Sequence, residues 1–463
     1  MAHLPDNPDL DQLRTRAREL QRAIRRDDPG YALTSAQRDL AREHGFASWP
    51  RLVRHVQTVV ARRWTLDETR PADTAADTFL DLACLTYQRD ESGNAHRAHE
   101  MLASAPHLRA ANVATAAVTA DVPALRELLA RDPSAARKTV GPFGWTPLMY
   151  LAYGRLDTDL GDCLESARLL LAAGAEVNDG RFFAGLATPF TVLTGVCGGG
   201  ERDQPPHPHV LHLARLLLEA GADANDGQAV YNRMFDTDDT VYALLLDHGL
   251  GRGDGGPWRA ALPDVLPAPA DIVGGLLAWA VTHDQRDRVE LLASHGIDVA
   301  APLPDGRRPI DVAVGNGHAA LAHRLTALGA AMPTLTPEEA FVAAVLAGDT
   351  AAVADTSAEV VSAVRAARPA LMVWAAAHGR VDAANMLCDN GFDIDAMGRS
   401  DVEVDQPWQT ALHTAVERDD ASMVARLLDL GADPSIADAR FDSTPAQWAR
   451  HLGHDDLVDL FEA

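Results

Sequence analysis

One phrase recurs along this chain of 463 residues and constrains its fold more than any other feature. It is a run of leucines, a glycine, and then an acidic residue. It reads Leu169-Leu170-Leu171-Ala172-Ala173-Gly174-Ala175-Glu176 and returns as Leu216-Leu217-Leu218-Glu219-Ala220-Gly221-Ala222-Asp223. Further copies end at Gly249, Gly296, Gly329, Gly391 and Gly431, so that the glycine spacings are 47, 28, 47, 33, 62 and 40. Clustered leucines give a helix a broad apolar face. Glycine suits the left-handed residue that stops a helix. The Asp that follows can bond its own local backbone and open a turn. A short unit of this kind buries its apolar face only against copies of itself, so the chain reads as a stacked array.

A start signal precedes the stop signal. Trp145-Thr146-Pro147-Leu148, Thr188-Pro189-Phe190 and Ser443-Thr444-Pro445 each place Thr at a helix N-cap and Pro at the first helical position. Gln409-Thr410-Ala411-Leu412-His413 keeps the pattern with Ala for Pro, and Gly306-Arg307-Arg308-Pro309-Ile310 keeps only the proline. The two signals, in this order, resemble the ankyrin repeat, whose pattern is G-x-T-P-L-H-x-A-A followed by a V-x-x-L-L-x-x-G-A helix. The resemblance covers residues 79–463. It implies an all-α ankyrin-repeat solenoid of about ten or eleven helix-turn-helix units. Clear copies are expected at 144–179, 187–226, 276–304, 305–335, 370–397 and 407–438. Residues 228–250 form a short variant, 79–110 and 112–140 are degenerate, and 336–369 keep only a helical pattern. The last unit, 441–463, turns Asp455, Asp456, Asp459 and Glu462 outward as a terminal repeat should. Among the clear units only His413 fills the histidine of the family pattern, which is a structural residue there.

Residues 1–64 are read as an N-terminal helical cap, followed by a linker at 65–78. Leu10, Leu13, Ala17, Leu20 and Ile24 have helical spacing, Thr34 and Gln37 form a capping box, and Ser48-Trp49-Pro50 starts a third helix. Residues 1–70 carry 13 Arg and 10 acids, whereas the remainder carries 28 basic and 56 acidic residues. The formal charge of −25 therefore belongs to the repeats. Such a surface argues against a nucleic-acid partner, which needs clustered cations.

The apolar runs are far shorter than a membrane span, and the N-terminus lacks a basic start with an apolar run. Cys84, Cys163, Cys197 and Cys388 form no CxxC pair and suit a reducing compartment. A cytoplasmic location without membrane association is expected. No nucleophile elbow, phosphate loop or dinucleotide fingerprint is present, so no cofactor or catalytic residue is assigned.

Insertions are expected at 197–209, 250–272 and 397–408, and their Gly and Pro content reads as loop, not helix. His207, His209 and His212 are weak metal candidates, the plainer reading being a solvated loop. The segment 225–236 lacks the usual helix start yet gathers Gln228, Tyr231, Asn232, Arg233 and Asp236. Asn178-Asp179-Gly180-Arg181 echoes its opening one repeat earlier. Two readings stand for this segment. It is a rewired turn in which Arg233 pairs with Asp236 or Asp239, or it is a polar patch that recognises a ligand. In the second reading Arg233 supplies a fork for a carboxylate and Tyr231 a rigid contact. Arg181, Tyr231, Asn232, Arg233, Asp236, Trp145 and Trp258 are the candidate groove residues. The leading expectation is a protein-interaction module whose acidic concave groove binds a basic partner. The alternative is a small-molecule binder or enzyme using the pocket around 178–239.

Overall fold

The computed structural model describes residues 4, 8–64, 74–87, 90, 91, 93–183, 186–200, 204–399 and 407–462. Most of the proposed linker and part of the first and third insertions lie outside these residues. The chain forms two compact units, Met1–Leu276 and Leu277–Ala463. The described residues form 27 α-helices and one three-stranded sheet, an all-α fold with small additions.

The stop signals do what their chemistry requires. Gly174, Gly221, Gly249, Gly296, Gly329, Gly391 and Gly431 all have positive φ. After each of them the next N–H reaches back five residues to close the helix end. Examples are Ala175 to the Leu170 carbonyl at 3.0 Å, Ala222 to Leu217 at 2.9 Å and Ala432 to Leu427 at 3.0 Å. The acidic residue then folds the turn. Asp223, Asp298, Asp393 and Asp433 each accept the N–H two residues on through Oδ1, at 3.0, 3.0, 3.0 and 2.8 Å.

In the first unit, the inner helices stack in series. Val113–Val118 packs on Pro147–Tyr153, which packs on Val192–Cys197, which packs on Gly227–Arg233. Their partners Val122–Arg131, Leu160–Ala172, Val210–Glu219 and Thr240–Asp247 form the second layer. The degenerate stretch at 79–140 is thus built as helix pairs, Ala75–Ala83 with Asn94–Ser104 preceding Val113–Val118 with Val122–Arg131. Leu125, Leu148, Leu170, Leu217 and Leu245 are fully buried between the layers, and each contributes about 1.5–3 kcal/mol.

The N-terminal helices Leu10–Ile24, Leu33–Glu43 and Trp49–Ala61 enclose a core of their own around Leu13, Leu40, Leu52 and Val56, with Val265 packed against it. The chain then continues as strand β1, Arg63–Trp64, which pairs in parallel with β2, Gly180–Phe183. β2 pairs antiparallel with β3, Pro189–Thr191. Arg51 joins Asp264 at 2.7 Å and Arg62 joins Asp179 at 3.1 Å. The N-terminal segment is therefore tied to the hairpin at 180–191 and to the second insertion.

Three local expectations are corrected. Thr34 and Gln37 make no capping box, because the helix already starts at Leu33 behind Ala32. Leu33 packs on the small core, and the Tyr31 hydroxyl bonds Asp39, so tertiary contacts fix the start. Thr188 and Pro189 do not open a helix. Residues 189–191 pair with β2, and Thr191 caps Val192–Cys197 through a capping box with Thr194. The second insertion is not all loop, because Gly256–Ala261 is a helix. Gly255, with φ of 85°, and Pro257 set its first turn.

The second unit holds the helix pairs Pro309–Gly315 with Ala319–Ala327, Leu371–Ala377 with Val381–Asp389, Ala411–Glu417 with Ala421–Asp429, and Pro445–Leu452 with Asp455–Glu462. The stretch 336–369 departs from a plain pair, with helices Pro337–Ala347, Thr350–Ala354 and Ala358–Ala367. Thr444 caps its helix with Gln447, and Thr410 does so with His413. The His413 Nε2 also meets the Ser443 carbonyl at 2.9 Å, tying one repeat to the next. Asp455, Asp456 and Asp459 face solvent. Among the described residues no single helix is long and apolar enough to cross a membrane.

Candidate functional site

The repeated Asn-Asp pair builds the region around the hairpin. Asn178 clips the next turn, donating to the Gly221 carbonyl at 2.9 Å and accepting from the Asp223 N–H at 2.8 Å. Asn225 does the same one repeat later, with the Arg252 carbonyl at 3.0 Å and the Gly251 N–H at 2.8 Å. The two aspartates hold the helix starts. Asp179 accepts from the Thr146 hydroxyl at 2.8 Å, and Asp226 accepts from Thr191 and from Thr194. Burial pushes the Asp226 carboxyl above its usual range, while the hydroxyl and backbone N–H groups around it act the other way.

These devices leave an open space beside Gly227–Arg233. A cavity of about 730 Å³ is bounded by this helix, by Phe190 of β3, by Gly199 and Gly200, by Tyr87, and by Ile272, Gly275 and Leu276. The glycine run is needed at the cavity edge. Gly199 has φ of 76°, and a Cβ there would sit 2.4 Å from the Asn232 carbonyl oxygen. The Gly200 N–H donates to that oxygen at 2.6 Å. Arg155 fixes the far side of this loop, donating to the carbonyls of Pro205 at 2.7 Å and Gly195 at 2.8 Å.

A directed hydrogen-bond relay lies along the cavity wall. The Thr188 hydroxyl donates to Gln228 Oε1. Gln228 Nε2 donates to Asn232 Oδ1 at 2.8 Å, and Asn232 Nδ2 donates to the Tyr87 hydroxyl at 3.0 Å. Burial pushes the Tyr87 phenol well above its ordinary value, so it keeps its proton at neutral pH.

The candidate residues from the sequence divide. Tyr231 and Asn232 line the cavity, Tyr231 exposed and Asn232 buried. Arg233 is buried and donates to Asp236 at 2.7 Å, and neither lines the cavity. The fork expected to meet a carboxylate ligand meets Asp236 instead. Arg181 is buried and serves Asp179 at 2.8 Å, which Arg62 also joins. Trp145 is wholly buried among Trp64, Phe143, Tyr150 and Tyr153. Trp258 is half-buried, donates to the Asn178 carbonyl at 2.8 Å and lies under the Arg62 guanidinium. Those three hold the hairpin and insertion together.

His207 and His209 are neighbours, with ring centroids 5.6 Å apart, but the three histidines form no ligand set among the described residues. His207 is buried, and burial pushes it down to about 3. His209 contacts the Thr158 carbonyl at 2.7 Å, and His212 is exposed. A solvated loop is therefore the wrong picture for His207. Among the described residues no group of three His, Cys, Asp or Glu is arranged to hold a metal ion.

Sequence reasoning missed Tyr87, which sits in a degenerate repeat, and the Ile272 to Leu276 wall, which sits at an insertion end. The Asn-Asp echo was the one available signal, because it marked the repeats that frame the cavity.

The second unit has its own polar cluster. The ring of His318 meets that of His378 edge-on at 5.1 Å, and His378 lies 4.6 Å from Trp374. His283 stacks on Trp279 at 3.8 Å. Arg380 faces His318 Nδ1 at 3.2 Å, and His318 Nε2 faces the Thr282 carbonyl at 3.0 Å, an arrangement that suits the neutral ring. Burial pushes all three histidines below their usual range, His378 to about 2. An unfolded histidine titrates near its ordinary value, so between that value and the folded one the unfolded chain binds more protons. Stability is thus complete above about pH 6.5 and falls as the pH drops. His378 alone accounts for a loss of about 1 kcal/mol between pH 7 and 5.5. Urea unfolding of the second unit at these two pH values should show it, and His378→Gln should flatten the dependence.

Comparison with known families follows the same pattern. The ankyrin repeat family model matches residues 143–180 and 408–439. These are the stretches with the clearest Thr-Pro-Leu or Thr-Ala-Leu-His starts. No curated protein shows significant similarity to the chain.

Proposed function

Because the chain is an ankyrin-repeat protein, of a family whose repeats generally serve as protein-binding modules, we propose that it acts by holding a basic protein partner against the acidic turns of its repeats. The observation that carries this reading is the carboxylate repeated after the stop glycine. Glu176, Asp298, Asp393 and Asp433 occupy the same place in their repeats, and all four are exposed. In the second unit Asp395 joins Asp393 and Asp433. The Asp433 N–H donates to Asp395 Oδ1 at 2.9 Å. Burial, and then the charges of Asp393 and Asp433, push the Asp395 carboxyl above its usual range. A cation brought to this turn relieves the repulsion. Single exposed pairs contribute only about 0–1 kcal/mol, so a repeated row supports recognition where one carboxylate does not.

The enzymatic alternative has less support, since Asp236 is held by Arg233 and stands off the cavity wall.

The test is capture of partners by the full chain. Asn retains the Oδ1 acceptor that these turns use, so Asp393→Asn/Asp395→Asn/Asp433→Asn removes charge and keeps the turn. Basic proteins should be retained at low salt and released near about 0.5 M salt, where screening is strong. The triple variant should bind them roughly tenfold more weakly. Retention that ignores both salt and the substitutions would overturn the reading.

A further inference from the structure

We propose that the cavity of the first unit binds a small, flat, uncharged molecule that presents a carbonyl-type hydrogen-bond acceptor to Tyr87. This site is separate from the acidic turns and goes beyond protein binding. At about 730 Å³ the cavity falls within the roughly 300–1,000 Å³ typical of small-molecule sites.

The floor is built to donate. The relay from Thr188 through Gln228 and Asn232 runs in one direction and ends on the Tyr87 oxygen. With Gln228 Oε1 turned to Thr188 and Asn232 Oδ1 turned to Gln228 Nε2, Tyr87 accepts a bond and has its own proton to give elsewhere. Among the described residues no acceptor faces that proton. Gln228 and Asn232 each also keep a second amide hydrogen beyond those in the relay. All three residues line the cavity. Tyr87 has φ of 61°, a conformation that costs a bulky residue about 1–3 kcal/mol and persists where the surroundings enforce it.

The walls select the body of the ligand. Phe190 meets Tyr87 edge-on at 5.1 Å, and Ile272 adds an aliphatic surface to the lining. Such surfaces favour a flat apolar or aromatic frame. Charge selects further. No Lys, Arg or His occurs among the described residues that line the cavity, and its one acid is Asp271, which is exposed. An anion would meet no counter-charge from the described lining residues and would sit beside a carboxylate.

Gly275 provides a clean block. It lies in the helix Pro269–Thr282 on the cavity wall, and a Cβ there meets no heavy atom within 4 Å. Gly275→Leu therefore fills empty space and favours the helix. The full chain is titrated with quinolin-2-one and benzamide, and with quinoline-2-carboxylate and benzoate as charged counterparts, by saturation-transfer NMR. The neutral probes should bind the unaltered protein, lose binding with Gly275→Leu, and bind roughly tenfold more weakly with Tyr87→Phe. The carboxylates should bind at least about tenfold more weakly than their neutral counterparts. Thermal melting checks that both variants remain folded, and if Tyr87→Phe does not, Gly275→Leu and the carboxylates decide. Neutral probes that bind no better to the unaltered chain than to Gly275→Leu, or carboxylates that bind equally well, overturn the proposal.

Discussion

Gly317→Val should unfold the second unit at ordinary temperatures. Gly317 has φ of 69°, and a Cβ there would lie 2.4 Å from the Ala347 nitrogen and 2.4 Å from the Leu346 carbonyl carbon. Both atoms belong to the backbone of the Pro337–Ala347 helix, so no side chain can rotate away. The β-branched residue adds left-handed strain of about 1–3 kcal/mol to the displacement of a packed helix. The expected cost exceeds about 4 kcal/mol, a large part of a unit's total stability. Gly329→Ala is the control. Gly329 has φ of 105° but nothing within 4 Å of its Cβ position, so the loss should be only about 1–2 kcal/mol. Thermal unfolding followed by circular dichroism separates the two. Equal, small losses would mean that the helices do not approach as closely as described.

Trp145→Ala carries the second large effect, in the first unit. The indole has no exposed surface and touches Trp64, Phe143, Tyr150 and Tyr153 at ring-centroid distances of 4.6 to 5.3 Å. Truncation leaves a cavity and should cost about 3–5 kcal/mol. It also removes the wall against which Trp64 of β1 rests, so residues 49–64 should become more accessible to protease. Trp145→Phe should be much milder, at about 1–2 kcal/mol. Among the described residues the buried Trp145 Nε1 has no hydrogen-bond partner, so its removal offsets part of the lost packing. Urea unfolding and limited proteolysis of the two variants check both statements.

The repeat ends were legible because their chemistry is local. A glycine such as Gly431 must take φ of 95°, and Asp433 must fold its own turn, whatever surrounds them. Residue type alone announces such positions. Helix starts were less legible because tertiary partners compete for the same side chains. Thr146 stands at a helix start, yet its hydroxyl goes to Asp179 and makes no capping bond. Thr188 looked like a cap, but pairing of residues 189–191 with β2 moved the start to Thr191. The cavity was half legible. The polar segment at 225–236 drew attention to Tyr231 and Asn232, which do line it. Arg233 drew attention as well, but its guanidinium pairs with an acid three residues away. Tyr87 lies 145 positions from Asn232 in sequence, and no local pattern announces a contact of that range.

Recognition of a basic partner by the acidic turns is probed by hydrogen–deuterium exchange that compares the free full chain with the chain saturated by a captured basic protein. New protection is expected at the turns around Asp393, Asp395 and Asp433. Protection confined to other faces, with these turns exchanging as in the free chain, would contradict it.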